Sequence, residues 1–339
     1  MNGQLMATEM AQQPEVLARL VERFDEHVAN VSALVPDDLA GVAFVARGSS
    51  DHAAVYGRYV AEIASGRPAS LVAPSIHTLY GAPVDYSGWL VVALSQSGAT
   101  PEIQTVTRRL REQGARAVAI VNQPDSLLAR TAELVIGLDA GPELAVPATK
   151  TVTAQLVALA AVAAALGPVP FERADLDRLP EAVAAVIADA APARALAEEW
   201  AGAERAFVVA RGLLLAAALE SALKVKETTG ILAEAMSAAD LRHGPIAATG
   251  PGVPVLVVDG GGPAEEDLAE LAALAVARGA PVARAAAGHS ELPLPEGTPE
   301  ALAVVTATVR GQQLAAALAA RRGVDADTPE GLSKVTATT

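Results

Sequence analysis

Phe44-Val45-Ala46-Arg47-Gly48 returns later in the chain as Phe207-Val208-Val209-Ala210-Arg211-Gly212, and the fold follows from that echo. Each copy ends an apolar run at a glycine and hands over to a segment of helical pattern. Self-similarity at this distance marks a duplicated domain rather than a short-period solenoid. Outward from the first copy the pattern reads as strand 41–47, helix 50–65, strand 89–95, helix 101–113, strand 115–121, short helix 125–130, strand 132–138 and helix 149–166. Around the second it reads as strand 205–211, helix 214–230, strand 253–259, helix 264–279, strands 281–287 and 301–307, and helix 309–321. Strands alternating with helices predict parallel βαβ units with helices on both faces of each sheet. Residues 167–180, with three prolines and several charges, read as a linker, and 181–202 as an Ala-rich helix. Pro14 suits the first turn of an N-terminal helix.

Composition agrees with that plan. A chain of 339 residues suits two domains of about 150 residues each. Hydrophobic residues make up 52% but aromatics only 3%, and small aliphatics in continuous runs suit buried parallel strands. The formal net charge of -14, from 25 basic and 39 acidic side chains, argues against nucleic acid or an anionic membrane as partner. It leaves room for a small anion, which local N–H groups hold whatever the global charge. The absence of cysteine excludes disulfides, thiolate zinc sites and cysteine nucleophiles. The five histidines show no metal-ligand spacing, so neither metal nor other cofactor is expected. The first residues, MNGQLMATEMAQQPEVL, lack a basic region followed by an apolar one, and Val152 to Leu166 is short for a membrane span. The expectation is a soluble cytoplasmic protein.

The clearest site is Leu94-Ser95-Gln96-Ser97-Gly98-Ala99-Thr100-Pro101-Glu102. An apolar strand runs into a hydroxyl-rich loop, and Thr100, Pro101 and Glu102 read as N-cap, N1 and N2 of a helix. That layout aims N–H groups and hydroxyls at one point beyond the strand's carboxyl end, where open α/β sheets bind ligands. It suits a phosphate dianion, and it equally fits an ordinary capped loop. Gly48-Ser49-Ser50 adds two hydroxyls to the same rim. The loop carries no Walker lysine, and no G-x-G-x-x-G follows the first strand, which excludes the common nucleotide-binding loops. In the second half, Glu220, Lys224 and Glu227 share one face of an otherwise apolar helix. A solvated i,i+4 pair is the ordinary explanation for such a stripe; carboxylates on a buried element point instead to a tuned pKa. His243 sits in the turn Leu241-Arg242-His243-Gly244-Pro245, and the tail carries Glu330-Gly331-Leu332-Ser333-Lys334-Val335-Thr336.

Taken together these residues resemble the sugar isomerase (SIS) domain family. The similarity is greatest to the isomerase half of glutamine-dependent glucosamine-6-phosphate synthase and to stand-alone amino-sugar phosphate deaminases. Its carriers, in chain order, begin with Met6-x-x-Glu9-x-x-x-Gln13-Pro14, Arg47-Gly48-Ser49-Ser50, Ser95-Gln96-Ser97-Gly98-x-Thr100 and Glu143-x-x-Val146-x-x-Thr149-Lys150. They continue with Leu219-Glu220-x-Ala222-Leu223-Lys224-x-Lys226-Glu227, His243-Gly244-Pro245 and the tail Leu332-x-Lys334. The resemblance implies two tandem three-layer αβα SIS domains, each with a mainly parallel sheet. The expected division is an N-terminal helical segment 1–34, SIS domain 1 at 35–168, a linker and helix at 169–200, SIS domain 2 at 201–325 and a tail at 326–339 over the active site.

By the same resemblance Ser95, Gln96, Ser97 and Thr100 bind the phosphate, with Ser49 and Ser50 beside them. Glu227 moves the proton between C1 and C2, His243 helps open the sugar ring from a neighbouring subunit, and Lys334 contacts the open-chain sugar or forms an imine with it. Glu220, Lys224, Val146, Ala148 and Ser333 border the substrate. A homodimer with shared active sites follows. The chemistry suits the residue types: a carboxylate shuttles the proton over one face, a histidine titrates near neutrality, and a lysine of lowered pKa attacks a carbonyl.

The sequence holds no glutaminase counterpart, and Ala148 stands where the synthase pattern has serine. The expected reaction is therefore deamination and isomerisation of glucosamine 6-phosphate to fructose 6-phosphate and ammonia. Two alternatives stay open. One is a lyase on the same enolate chemistry, dehydrating N-acetylglucosamine 6-phosphate or releasing an amino acid from a fructosamine 6-phosphate. The other is a non-catalytic sugar-phosphate sensor.

Overall fold

Continuous apolar runs become the central strands of two sheets. In the computed structural model, which describes residues 3–334, the chain opens with three helices, α1 (Gln4–Ala11), α2 (Gln13–Glu22) and α3 (Phe24–Ser32). There follow β1 (Gly41–Val45), α4 (Ser49–Ser65), β2 (Ala69–Leu71), α5 (Pro74–Thr78), β3 (Trp89–Ser95) and α6 (Pro101–Glu112). Next come β4 (Arg116–Val121), α7 (Leu127–Thr131), β5 (Leu134–Gly137), α8 (Lys150–Leu166), α9 (Arg173–Ala188) and α10 (Ala191–Trp200). The rest is β6 (Arg205–Ala210), α11 (Leu215–Thr229), β7 (Leu232–Ser237), α12 (Ala238–Arg242), β8 (Val255–Val258), α13 (Glu265–Ala277), β9 (Val282–Ala285) and α14 (Glu300–Arg322).

Two units divide these elements. One comprises Val16–Glu143 and Lys150–Val169; the other comprises the residues up to Glu15, Leu144–Thr149 and Pro170–Lys334. The first holds five strands in the order β2-β1-β3-β4-β5, the second four in the order β7-β6-β8-β9. Every pairing is parallel, as expected. Such sheets are covered on both faces. In the five-stranded unit Ala43, Val45, Val91, Ala93, Ala117 and Ala119 pack on Ile103, Val106 and Leu110 of α6 and Leu128 of α7. Phe44, on the alternate pleat, meets α4 and α8: a Cβ added at Gly57 would lie 2.8 Å from both its ring and Leu159. In the four-stranded unit Phe207, Val209, Val255 and Val257 pack on Leu241 of α12 and on Leu268 and Leu271 of α13. There α11 lies against β6 and β7 and packs along α14. The expected αβα class is the observed one.

Several sequence expectations change. Residues 301–307 are the start of α14, not a strand. A fully buried helix and a buried parallel strand both read as continuous apolar runs, and every residue from Ala301 to Ala315 is buried. The segment read as a linker to Pro180 is largely α9, which runs through Pro180; the Asp175 carboxylate accepts the Glu172 N–H at 2.9 Å and starts the helix earlier. The edge strands β2 and β7 lie in stretches that no apolar run marks, and the expected N-terminal helix is three. Among the described residues no helix is long and apolar enough to cross a membrane.

One glycine fixes how closely α11 and α14 pack. A Cβ at Gly311 would stand 2.0 Å from Ser221 Oγ and 2.7 Å from its Cβ. Gly311→Ala is therefore expected to cost roughly 1–3 kcal/mol, read as a lower urea midpoint with an unchanged slope. An unchanged midpoint would show that the two helices separate freely.

Candidate active site

In the five-stranded sheet β1 leads through α4 to β2 on one side, and β3 leads through α6 to β4 on the other, so the winding reverses between β1 and β3. Their carboxyl ends border the crevice where such sheets bind ligands. Ser95 ends β3, and its Oγ accepts the Gly98 N–H at 3.0 Å. Ser97 Oγ accepts the Ala99 N–H at 3.2 Å. The Gly98 carbonyl accepts from Leu128 N at 3.2 Å and from Gln104 Nε2 at 3.1 Å. Only glycine fits there: its φ is +59°, and a Cβ would lie 2.1 Å from Ser126 Oγ.

Thr100 is the N-cap of α6, yet its side chain bonds none of the first-turn N–H groups, and Pro101 follows. Helix α4 starts after Gly48 with Ser49 and Ser50 in its first turn, also without a side-chain cap. Two uncapped helix N-termini thus reach the crevice. Ser50 is buried and accepts from Gln155 Nε2 at 2.9 Å, which leaves its hydroxyl proton to donate elsewhere. Gln96 is partly exposed, and its carbonyl accepts the Asn122 N–H at 3.2 Å. Arg47 bridges the reversal: Nε and Nη2 donate to Glu102, in the first turn of α6, at 2.8 and 3.0 Å. That bidentate pair raises the Arg47 pKa. The carboxyl of Asp51 is pushed up by burial.

In the four-stranded unit Lys224 is 1% exposed and lies between two carboxylates, bonded to Glu227 and 3.4 Å from Glu220 Oε1. Burial alone would lower the Lys224 pKa; Glu220 and Glu227 together outweigh it and hold the ammonium above its ordinary value. Glu220 is 2% exposed while Glu227 keeps 22% of its side chain accessible. The stripe is therefore a buried ion cluster rather than a solvated face. Its carboxylates are buried because an ammonium lies between them.

The remaining candidates are spread more widely. Val146 and Ala148 lie partly exposed in the segment Leu144–Thr149, and Lys334 Nζ donates to the Ala145 carbonyl at 2.7 Å. Ser333 is exposed. Val335 and Thr336 of the tail motif lie outside the described residues. His243 is exposed at the end of α12, with its N–H on the Asp240 carbonyl at 3.1 Å; it is not hydrogen-bonded to Glu227. Glu143, read only as a motif marker, caps α8 by accepting Thr151 N at 3.1 Å and Thr151 Oγ1 at 2.7 Å. Gln155 and Glu102 escaped the sequence reading as partners of Ser50 and Arg47, because nothing local marks a contact across such separations. Among the described residues no three acidic or histidine side chains gather as a metal would need.

A duplicated, doubly wound parallel α/β architecture with a hydroxyl-lined, uncapped edge in one copy and a buried Glu-Lys-Glu cluster in the other defines the class. The chain belongs to the SIS domain family, whose pattern matches residues 41–165 and 200–306. It is 33% identical to the glutamine–fructose-6-phosphate aminotransferase [isomerizing] of Thermus thermophilus, over 97% of this chain and 58% of that protein. The chain thus spans a little over half the length of that curated relative. Among solved structures it is similar to the C-terminal domain of glucosamine-fructose-6-phosphate aminotransferase from Francisella tularensis, with a TM-score of 0.83, 25% identity, and 96% and 98% of the two chains covered. A glucosamine-6-phosphate deaminase from Thermotoga maritima shares the fold at a TM-score of 0.81 and 22% identity, over 99% of this chain and all of that one.

The cluster makes a sharp stability prediction. Lys224→Met leaves two carboxylates without their cation and is expected to cost about 3–5 kcal/mol near neutrality. Without Lys224 the folded-state carboxyl pKa values rise above the unfolded ones. The loss should therefore shrink as pH falls toward the ordinary glutamate range. Urea titrations at several pH values check this, and a pH-independent loss would count against it.

Proposed function

We propose that the chain is an amino-sugar phosphate deaminase and isomerase that converts glucosamine 6-phosphate and water to fructose 6-phosphate and ammonia. The observation that carries this reading is Glu227: a partly accessible carboxylate bonded to an ammonium whose pKa is held above its ordinary value. Its partial exposure leaves the Glu227 carboxylate open to a substrate, as a general base must be. Ser95, Gln96, Ser97 and Thr100, with Ser49 and Ser50, hold the phosphate. His243 opens the ring. Glu227 takes the proton from C2 to give an enolamine and returns it to C1; water then adds to the resulting C2 imine and ammonia leaves. Lys334 orders the tail at the open-chain sugar. The names of the curated relatives join fructose 6-phosphate, amino transfer and isomerisation, and each of these fits the scheme. The acidic balance of the chain argues against nucleic acid or an anionic membrane as partner, and the reaction is placed in the cytoplasm.

Ala148 favours a second reading. Its methyl side chain is partly exposed and leaves room for a bulkier nitrogen substituent, so elimination of the 3-hydroxyl from an N-acylated substrate is the alternative.

Purified protein is expected to release ammonia and fructose 6-phosphate in equal amounts, and Glu227→Gln to lose about 10²–10⁴-fold in rate. Absence of both products, or a Glu227→Gln variant as active as the parent, would sink the reading. An ultraviolet-absorbing product from N-acetylglucosamine 6-phosphate would select the elimination instead. The exposure of His243 on its own chain supports a homodimer in which it serves the neighbour's site. Mixing inactive His243→Ala and Glu227→Gln chains should then recover part of the activity; no recovery means self-contained sites.

A further inference from the structure

Met6-x-x-Glu9-x-x-x-Gln13-Pro14 is the motif that the proposed chemistry leaves unused. Its side chains up to Gln13 belong to the four-stranded unit, as do the segment Leu144–Thr149 and the tail to Lys334. Glu9, near the end of α1, is 4% exposed. Its carboxylate accepts the N–H groups of Leu144 and of Ala145, the latter at 3.3 Å. Gln13 is fully buried, and its Nε2 donates to Gln312 Oε1 at 3.0 Å. Gln312 Nε2 in turn donates to the Thr149 carbonyl at 3.1 Å. One stretch of the N-terminus therefore fixes both ends of Leu144–Thr149.

The tail closes the same knot. The Asp327 carboxylate accepts the N–H groups of Leu5 at 3.0 Å and Met6 at 2.8 Å. The Asp327 carbonyl accepts the N–H of Val146 at 2.9 Å. Met6, Met10, Ala145, Ala319 and Ala326 fill the space between as one buried apolar cluster. At Ala145 the two sides of the peptide chain meet different partners: its N–H goes to Glu9 and its carbonyl receives Lys334 Nζ at 2.7 Å. An ionised acceptor on successive buried N–H groups is a strong, directional anchor: Glu9 holds the Leu144–Ala145 peptide, while Asp327 holds the N–H of Val146, which shares a plane with the Ala145 carbonyl.

We propose that Glu9 is a positioning residue that anchors the Leu144–Ala145 peptide and so holds Ala145, whose carbonyl receives the ammonium of Lys334, with Asp327 fixing the plane of that carbonyl and Gln13 and Gln312 the far end of the same segment. Its catalytic consequence rests on the role proposed for Lys334; the placement of Lys334 does not. The chain has four lysines, Lys150, Lys224, Lys226 and Lys334. Lys150 and Lys224 are buried and Lys226 is exposed, so acylation with a succinimidyl ester, followed by mass spectrometry, reads Lys334 against Lys226 as internal reference.

In Glu9→Gln the ratio of Lys334 to Lys226 labelling is expected to rise several-fold while Lys150 and Lys224 stay protected. Turnover should fall about tenfold with inhibition by inorganic phosphate unchanged. A purely structural role would move the unfolding midpoint and leave the labelling ratio alone, and that result overturns the proposal. If Lys150 and Lys224 also become labelled, the variant has unfolded. Gln312→Met, which releases Thr149, then decides by the same ratio, and an unchanged ratio overturns the proposal there too. The labelling needs no substrate: a parent chain without turnover would refute the proposed function and leave this inference standing.

Discussion

The reversal of winding between β1 and β3 is the constraint on which the rest depends. Parallel neighbours whose following helices leave to opposite faces open a crevice at their carboxyl ends, and here side-chain ion pairs bridge it. Arg47 and Glu102 do so in the five-stranded unit. In the four-stranded unit Arg211 and Asp267 repeat the device at 2.7 Å, again joining the end of a central strand to the first turn of the helix beyond its neighbour. The sequence echo that marks the duplication is therefore also an electrostatic one. Arg47 has a second effect, because an unpaired Glu102 in that turn would oppose any anion approaching the N-terminus of α6.

The two copies have used the same edge differently. Where the first has Ser95 to Thr100, the second has Asp259 and three glycines, followed by Glu265, Glu266 and Asp267 in the first turn of α13. A Cβ at Gly262 would lie 2.1 Å from Glu300 Oε2, so the Glu300 side chain lies against the loop. Burial, and then the charge of Asp259, push the Glu300 carboxyl up. An edge filled with its own carboxylates repels a phosphate. The helix that follows β6 instead carries the Glu-Lys-Glu cluster, which depends on α11 being packed against α14 closely enough to exclude water. Gly311 permits that approach, and exclusion of water strengthens the attraction within the cluster.

The parts legible in the sequence were those with local signatures. Strand runs ending at Gly48 and Gly212, and the Ser95–Thr100 loop with its Pro101, are each read from adjacent residues. The face shared by Glu220, Lys224 and Glu227 follows from helical spacing, although its burial does not, since the apolar surroundings come partly from α14. That helix was misread in its first half because apolarity on all sides carries no period. Glu9, Gln312 and Asp327 were illegible as partners for a different reason: the residues they hold lie far away along the chain, and a hydrogen bond leaves no mark in composition or spacing.

Side-chain capping occupies some helix starts of the five-stranded unit and leaves others open. In the five-stranded unit Ser126 caps α7 through the Ala129 N–H, and Glu143 caps α8 through Thr151, adding a negative charge at that end. Helices α4 and α6 have no such cap: the α4 N-cap is Gly48, followed by Ser49 and Ser50, and Thr100 leaves the first turn of α6 unbonded although its oxygen suits the task. A serine or threonine at a helix start that leaves its own turn unbonded keeps both its hydroxyl and the turn's N–H groups for a ligand. These two helix starts follow β1 and β3, the strands between which the winding reverses. At that edge the open first turns and the reversal of winding coincide.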